Sequence, residues 1–87
     1  MANVVIYRTP NCAYCVRVHQ LLESKGVPFT EVDVSEDDGK RRWLVDVTRQ
    51  RTVPQVFIND KPVGGFEDVA RLNRTGELDK LLAEPAA

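Results

Sequence analysis

Val4-Val5-Ile6-Tyr7-Arg8-Thr9-Pro10-Asn11-Cys12-Ala13-Tyr14-Cys15 is an apolar run, a break and a cysteine pair, in that order. Residues 3–8 are apolar and β-branched with only weak alternation, the pattern of a strand buried in the middle of a sheet. Pro10 and Asn11 stop that strand. Asn11 is expected to cap a helix over Cys12 to Lys25, in which Val18, Leu21 and Leu22 recur at helical spacing and which Gly26 ends. Cys12 and Cys15 are the only two cysteines of the chain. At this spacing they can close a small disulfide and reopen it by exchange, a two-electron redox centre that needs no bound cofactor.

Outward from this stretch the elements alternate. Val27 to Val34, with Phe29, Val32 and Val34, reads as a second strand after Pro28. Ser35 and Asp38 resemble a capping box for a helix running to about Arg49, with Trp43, Leu44 and Val47 as its apolar stripe. The period then changes to two. Pro54 to Ile58 reads as a third strand, Asn59-Asp60-Lys61 as a hairpin turn, and Pro62-Val63 as a short fourth strand stopped by Gly64-Gly65. A third helix runs from Phe66 to Arg74 and closes near Gly76, and Leu78, Leu81 and Leu82 mark a last short one. The order β-α-β-α-β-β-α-α predicts an α/β fold with one four-stranded mixed sheet flanked by helices. The first crossover makes two strands parallel, and the hairpin adds at one edge. One domain is expected over residues 1–83, with 84–87 as a fraying tail.

Composition sets the context. With 87 residues, 43 % apolar and 29 % charged, the chain reads as one small globular domain. A net charge of −1 argues against a nucleic-acid partner, and no stretch is long and apolar enough for a membrane span. Met1-Ala2-Asn3 runs straight into the first strand without a leader pattern, so a cytoplasmic location is expected. There, thiol buffers keep a lone pair reduced unless it cycles. The cations are uneven: Lys40, Arg41, Arg42, Arg49 and Arg51 crowd one stretch behind Glu36, Asp37 and Asp38. That order suits a helix dipole, and it also suits a local anion site.

Cys12, at the first turn of its helix, meets unpaired N–H groups and the positive end of the dipole. Its pKa should therefore fall below the roughly 8.5 of a free thiol. It is the expected nucleophile, and Cys15, one turn in, the expected second thiol. The pair also reads as two small core hydrophobes or half of a zinc site, but His19 is the only histidine available to complete such a site. A c-type haem attachment would need histidine where Val16 stands. His19 itself reads as a polar residue of an amphipathic helix surface.

Three separated motifs together carry a resemblance: Cys12-Ala13-Tyr14-Cys15, Arg51-Thr52-Val53-Pro54, and Gly64-Gly65-Phe66-Glu67-Asp68. The chain resembles a dithiol glutaredoxin of the thioredoxin-like superfamily over nearly its whole length. The resemblance implies a thioredoxin-like fold and a cis Val53-Pro54 bond beside the thiols. The backbone of Val53 would then be free to pair with the cysteinyl part of glutathione. It further implies that the N–H groups of Phe66 and Glu67 take the γ-glutamyl carboxylate, that Asp68 accepts from the ammonium group, and that Arg41 takes the glycine carboxylate. Tyr14, Thr52, Pro54 and Gly65 complete the implied glutathione set. Without the resemblance, Pro54 is a strand start, the glycines a hairpin exit and Arg41 a solvated helix face.

The implied activity is glutathione-dependent reduction of protein–glutathione mixed disulfides and protein disulfides. Cys12 attacks and Cys15 resolves. Glutathione is a co-substrate, no cofactor is tightly bound, and no resident metal is implied. The implied partners are glutathionylated or disulfide-containing proteins and, indirectly, glutathione reductase, with no nucleic acid or membrane, and the chain is expected to be a monomer. Two positions depart from the family pattern. Thr9 stands where a lysine is frequent, and whether Arg8 beside it substitutes depends on strand direction, since neighbouring side chains point to opposite faces. Ala13 replaces a usual proline and frees an N–H near the sulfur. Relatives lacking that proline sometimes hold a [2Fe-2S] cluster between two subunits through the first cysteine and glutathione, a role in which Cys12 would be a metal ligand. A thioredoxin-reductase-dependent redoxin and an inert structural domain are the other readings. The Gly64–Asp68 segment and Arg41 disfavour the redoxin.

Overall fold

Both faces of a four-stranded sheet carry helices in the computed structural model, which describes residues 1–86; position 87, the last of the expected tail, lies outside them. The elements are β1 (Val4–Arg8), α1 (Ala13–Ser24), β2 (Thr30–Asp33), α2 (Asp38–Thr48), β3 (Gln55–Ile58), β4 (Lys61–Gly64), α3 (Phe66–Thr75) and α4 (Glu77–Ala83). The strand order is β2-β1-β3-β4, with β1 parallel to β2 and the other neighbours antiparallel. The mixed sheet with helices on both faces is the one expected from the element order, and the arrangement is the thioredoxin-like one that the resemblance implies.

Two apolar clusters explain the weak alternation of the first strand. Val4 and Ile6 of β1 and Val56 and Ile58 of β3 face α1, α3 and α4, where Val18, Leu22, Val69, Leu78 and Leu82 are buried against them. The intervening Val5, Tyr7 and Phe57 face α2, with Val34 and Leu44. A strand covered on both sides needs apolar residues at every position, so period two survives in the packing and vanishes from the composition. Ile6, Leu22 and Leu78 are fully buried. Each contributes roughly 1.5–3 kcal/mol of transfer free energy.

Several boundaries differ from the sequence reading, each for a local reason. The cap of α2 is Asp37, whose carboxylate accepts from Lys40 N at 2.9 Å; the N–H of Ser35 is instead held by Asp33 Oδ1 at 2.8 Å. The second strand begins at Thr30, three residues later than expected, and lies at the sheet edge. Of the stripe on α2 only Leu44 is buried, whereas Trp43 and Val47 are 38 % and 41 % exposed. Trp43 stacks on Phe57 at 5.4 Å, with Tyr7 edge-on to both, so it closes an aromatic trio from outside. Burial raises the pKa of Tyr7, and Asp60 adds to the effect. The hairpin turn is the two-residue Asn59-Asp60, both at positive φ (52° and 65°), and Lys61 already belongs to β4. Beyond α4, residues 84–86 are exposed, and the Pro85 carbonyl accepts from Asn59 Nδ2 at 2.9 Å. No helix among the described residues is long and apolar enough to cross a membrane.

His19 is not a simple surface residue. Its Nδ1 lies 2.7 Å from Glu31 Oε1, its ring stands edge-on to Phe29 at 5.2 Å, and Arg8 Nη1 reaches Glu31 Oε2 at 2.6 Å. Glu31 thereby ties α1 and β1 to the edge strand β2. Burial pushes the Glu31 carboxyl up, but the hydrogen bonds and charges of Arg8 and His19 outweigh it and hold the pKa below the ordinary glutamate value. A depressed carboxylate stabilises the fold above its unfolded pKa, and that contribution is lost as pH falls through the folded one. The urea midpoint of the native chain should therefore drop more steeply between about pH 5 and pH 3 than that of Glu31→Gln; parallel curves would remove Glu31 from the acid response.

Candidate active site

The short link between β1 and α1 puts the thiol pair at a helix start. Asn11 adopts φ 59° and turns the chain; the cap expected at Asn11 falls instead on Cys12, whose backbone is extended (φ −110°, ψ 110°). Its Sγ accepts from the N–H of Cys15 at 3.1 Å. Sulfur thus takes the place usually held by a side-chain oxygen. The first turn of α1 carries no acidic residue to compete for the helix end. When Cys12 is reduced and ionised, the same N–H becomes a charge-assisted donor to the thiolate and the helix start favours the negative charge.

Cys12 and Cys15 are joined as a disulfide, with Cα atoms 5.2 Å apart. Cys15 is fully buried and Cys12 partly exposed, so an incoming sulfur meets Cys12 first. The carbonyl oxygen of Val53 lies 3.9 Å from Cys12 Sγ, and the Val53-Pro54 bond is cis. Beside it opens a hollow of about 270 Å³ lined by Tyr14, Gln50, Thr52, Val53, Pro54, Gly65, Phe66, Glu67 and Asp68. The structure therefore gathers eight of the sequence-predicted residues from three separate stretches. The rings of Tyr14 and Phe66 face each other at 6.0 Å, with the Arg17 guanidinium 5.3 Å from the Tyr14 ring.

The two glycines have distinct geometric causes. Gly64 sits at φ 114°, and a Cβ there would collide with the Asp68 carboxylate, while at Gly65 it would press to 3.2 Å from the Pro54 carbonyl. Asp68 Oδ2 accepts from the N–H of Gly65 at 3.1 Å, and its Oδ1 takes Arg71 at 2.9 Å. The acid is thus already fixed in place. Arg41 stands apart from this hollow. With Thr52 and Val53 it lines a narrow crevice, and with Asp38, Arg42, Val45 and Arg51 it lines a second hollow beyond. Arg8 is engaged by Glu31 and does not stand in for the absent lysine.

Two residues of the site were not anticipated. Gln50 lines the hollow, and Gln55, only 1 % exposed, donates through Nε2 to Gln50 Oε1 and to the Thr52 carbonyl, both at 3.0 Å. The available signal was a lone amide beginning the apolar run Val56-Phe57-Ile58, where a buried polar group requires partners.

Comparison with known proteins adds an independent finding. The family model described as glutaredoxin matches residues 4–63. Glutaredoxin 3 of Escherichia coli is 43 % identical over 82 residues, covering 94 % of this chain and 99 % of the relative. A glutaredoxin of Pseudomonas aeruginosa is 44 % identical over 86 residues, covering 95 % and 99 %. Among solved structures, the buckwheat glutaredoxin–glutathione complex superposes with a TM-score of 0.86 at 34 % identity, covering 93 % of this chain and 76 % of that one.

The amide of Gln55 holds Gln50 and Thr52 in the loop that leads into the cis Val53-Pro54 bond. Gln55→Leu keeps the volume but removes both hydrogen bonds, so urea unfolding should show a loss of about 1–3 kcal/mol. Backbone order parameters at Thr52 and Val53, read by NMR relaxation, should fall in the variant; unchanged order there would show that the loop is held by other contacts.

Proposed function

The chain belongs to the glutaredoxin family, and from that premise we propose how its thiol pair and groove divide the work of exchange. It is a glutathione-dependent thiol-disulfide oxidoreductase. The observation that carries the assignment of roles is the burial difference within the pair, together with the Cys15 N–H aimed at Cys12 Sγ.

In this reading the Cys12 thiolate attacks the glutathionyl sulfur of a protein–glutathione mixed disulfide. The disulfide bond between the glutathionyl sulfur and the protein sulfur breaks, the protein thiolate leaves and takes up a proton, and glutathione remains on Cys12. A second glutathione thiolate attacks the glutathionyl sulfur, releasing glutathione disulfide and restoring Cys12. With a protein disulfide, Cys12 forms the mixed disulfide with the substrate. Cys15 then attacks the sulfur of Cys12, freeing a dithiol product and closing the pair, which two glutathiones reopen.

The groove supports an orientation for the tripeptide. The backbone of Val53 pairs with its cysteinyl unit, and the free N–H groups of Phe66 and Glu67 at the start of α3 meet the γ-glutamyl carboxylate. Asp68 retains unused lone pairs for the ammonium group, and Arg41, reached through the crevice along Thr52, takes the glycine carboxylate. Tyr14, Pro54 and Gly65 shape the walls. We place the activity on a monomer in a reducing cytoplasm, with glutathionylated and disulfide-bearing proteins as substrates and glutathione reductase recycling the oxidised tripeptide. No observation sets the cluster-carrying or thioredoxin-reductase readings above this one.

Two variants test the division of roles. Cys12→Ser should reduce both activities to background. Cys15→Ser should keep deglutathionylation within about threefold of the native rate while reduction of a protein-disulfide substrate falls by roughly a hundredfold or more. Equal loss of both activities in Cys15→Ser would overturn the resolving role.

A further inference from the structure

The largest concentration of unneutralised charge lies next to the thiol groove rather than in it. Over residues 40–51, Lys40, Arg41, Arg42, Arg49 and Arg51 face one acid, Asp46, on a chain whose net charge is −1. Arg41, Arg42 and Arg51 converge on one open hollow of about 420 Å³, lined also by Asp38 and Val45. Arg8, Lys25 and Arg71 all pair with carboxylates, whereas among the described residues no ion pair or hydrogen bond engages the guanidinium of Arg41, Arg42 or Arg51.

Three cations against the single carboxylate of Asp38 leave the space net positive, and an anion stabilises it. One carboxylate, as on the glycine end of glutathione, would occupy Arg41 and leave Arg42 and Arg51 with Asp38 as the only acid lining the hollow. The hollow is also continuous with the chemistry. Arg41 and Arg51 share a crevice with Val53, whose carbonyl oxygen lies 3.9 Å from Cys12 Sγ. A ligand in this hollow can therefore belong to the molecule whose sulfur is on Cys12.

Resting on the reading of the thiol groove given above, we propose that Arg42 and Arg51 form a docking surface for an acidic peptide segment of the protein substrate. Such a segment supplies several carboxylates on one flexible chain and arrives with the disulfide it carries. A free anion would satisfy the charge without being coupled to the reaction. The expected contribution is to encounter and specificity, and it should weaken with salt.

The test uses synthetic peptide–glutathione mixed disulfides of one sequence, with three acidic or three neutral residues placed before or after the cysteine. Alongside them runs the mixed disulfide of free cysteine and glutathione. The native protein should process at least one acidic placement with a higher kcat/KM than its neutral counterpart. In the double variant R42E/R51E that acidic substrate should lose about tenfold in kcat/KM, roughly 1.4 kcal/mol, with the difference shrinking at high salt. The neutral peptide and the cysteine mixed disulfide should stay within about twofold, which also shows that the variant is folded and catalytically intact. Equal effects on acidic and neutral peptides, or none on either, would overturn the docking surface. Inhibition by inorganic phosphate that depends on these arginines, without any acidic-peptide preference, would overturn it in favour of a free-anion site. Failure of the native protein on the cysteine mixed disulfide would instead strike at the exchange reading itself.

Discussion

The hydrogen bond from the Cys15 N–H to Cys12 Sγ is the contact on which the rest of the site depends. It places the Cys12 sulfur at the one point on α1 where backbone donors lack intrahelical partners, and it makes the proposed nucleophile its own helix cap. A capping oxygen at Asn11 would have started the helix one residue earlier and moved both sulfurs relative to the groove. Because the acceptor is sulfur, helix stability and thiolate stability share one interaction. The bond strengthens as the thiol ionises, so the reduced, ionised state is favoured by the same geometry that starts the helix.

That helix start is held by a sheet covered on both sides. β1 carries α1 from its end, and its two faces bind separate apolar clusters, so the strand cannot slip by one residue without exchanging Val4 and Ile6 for Val5 and Tyr7. β3 lies beside β1 and brings with it the 50–54 loop, latched by Gln55. The Val53 carbonyl therefore reaches Cys12 through two neighbouring strands. The glycine-rich entry to α3 follows β4 on the same side. The groove is the meeting of three loop ends that the strand order makes adjacent.

What the sequence disclosed follows from where each signal is local. The period-two run at Val56-Phe57-Ile58, the helical spacing of Val18 and Leu22 and the breaks at Pro10, Gly26 and Gly76 depend on near neighbours, and all were legible. The thiol pair and the groove residues were legible because three motifs recur as a set. Caps were less so. Asn11, Cys12, Ser35 and Asp37 all have side chains able to accept from a helix start, and tertiary constraint on the preceding turn chooses among them. The partners of His19 and Gln55 were not legible at all. Glu31 lies twelve residues from His19, and the match depends on an edge-strand register that no local pattern encodes. Trp43 read as core because its spacing is right, but α2 covers a narrow cluster that Leu44 already fills.

The two ends of the proposed tripeptide site are built differently, and the difference has a physical meaning. At the α3 end Asp68 is fixed by the Gly65 N–H and by Arg71, in a space that only a glycine at position 64 leaves open. A carboxylate offers about four lone-pair sites, so it can still accept from an ammonium group without releasing its cap. Little ordering remains to be done there when a ligand arrives. At the other end, among the described residues, the guanidinium of Arg41 has no ion pair or hydrogen bond and shares its surroundings with two further guanidiniums in the same condition. Its long side chain must give up rotamer freedom on binding, and the repulsion between neighbouring cations is relieved only when an anion enters. A rigid end can read the constant part of every substrate. An adjustable cationic end, beside the groove but outside it, can respond to the part that varies from one protein substrate to another.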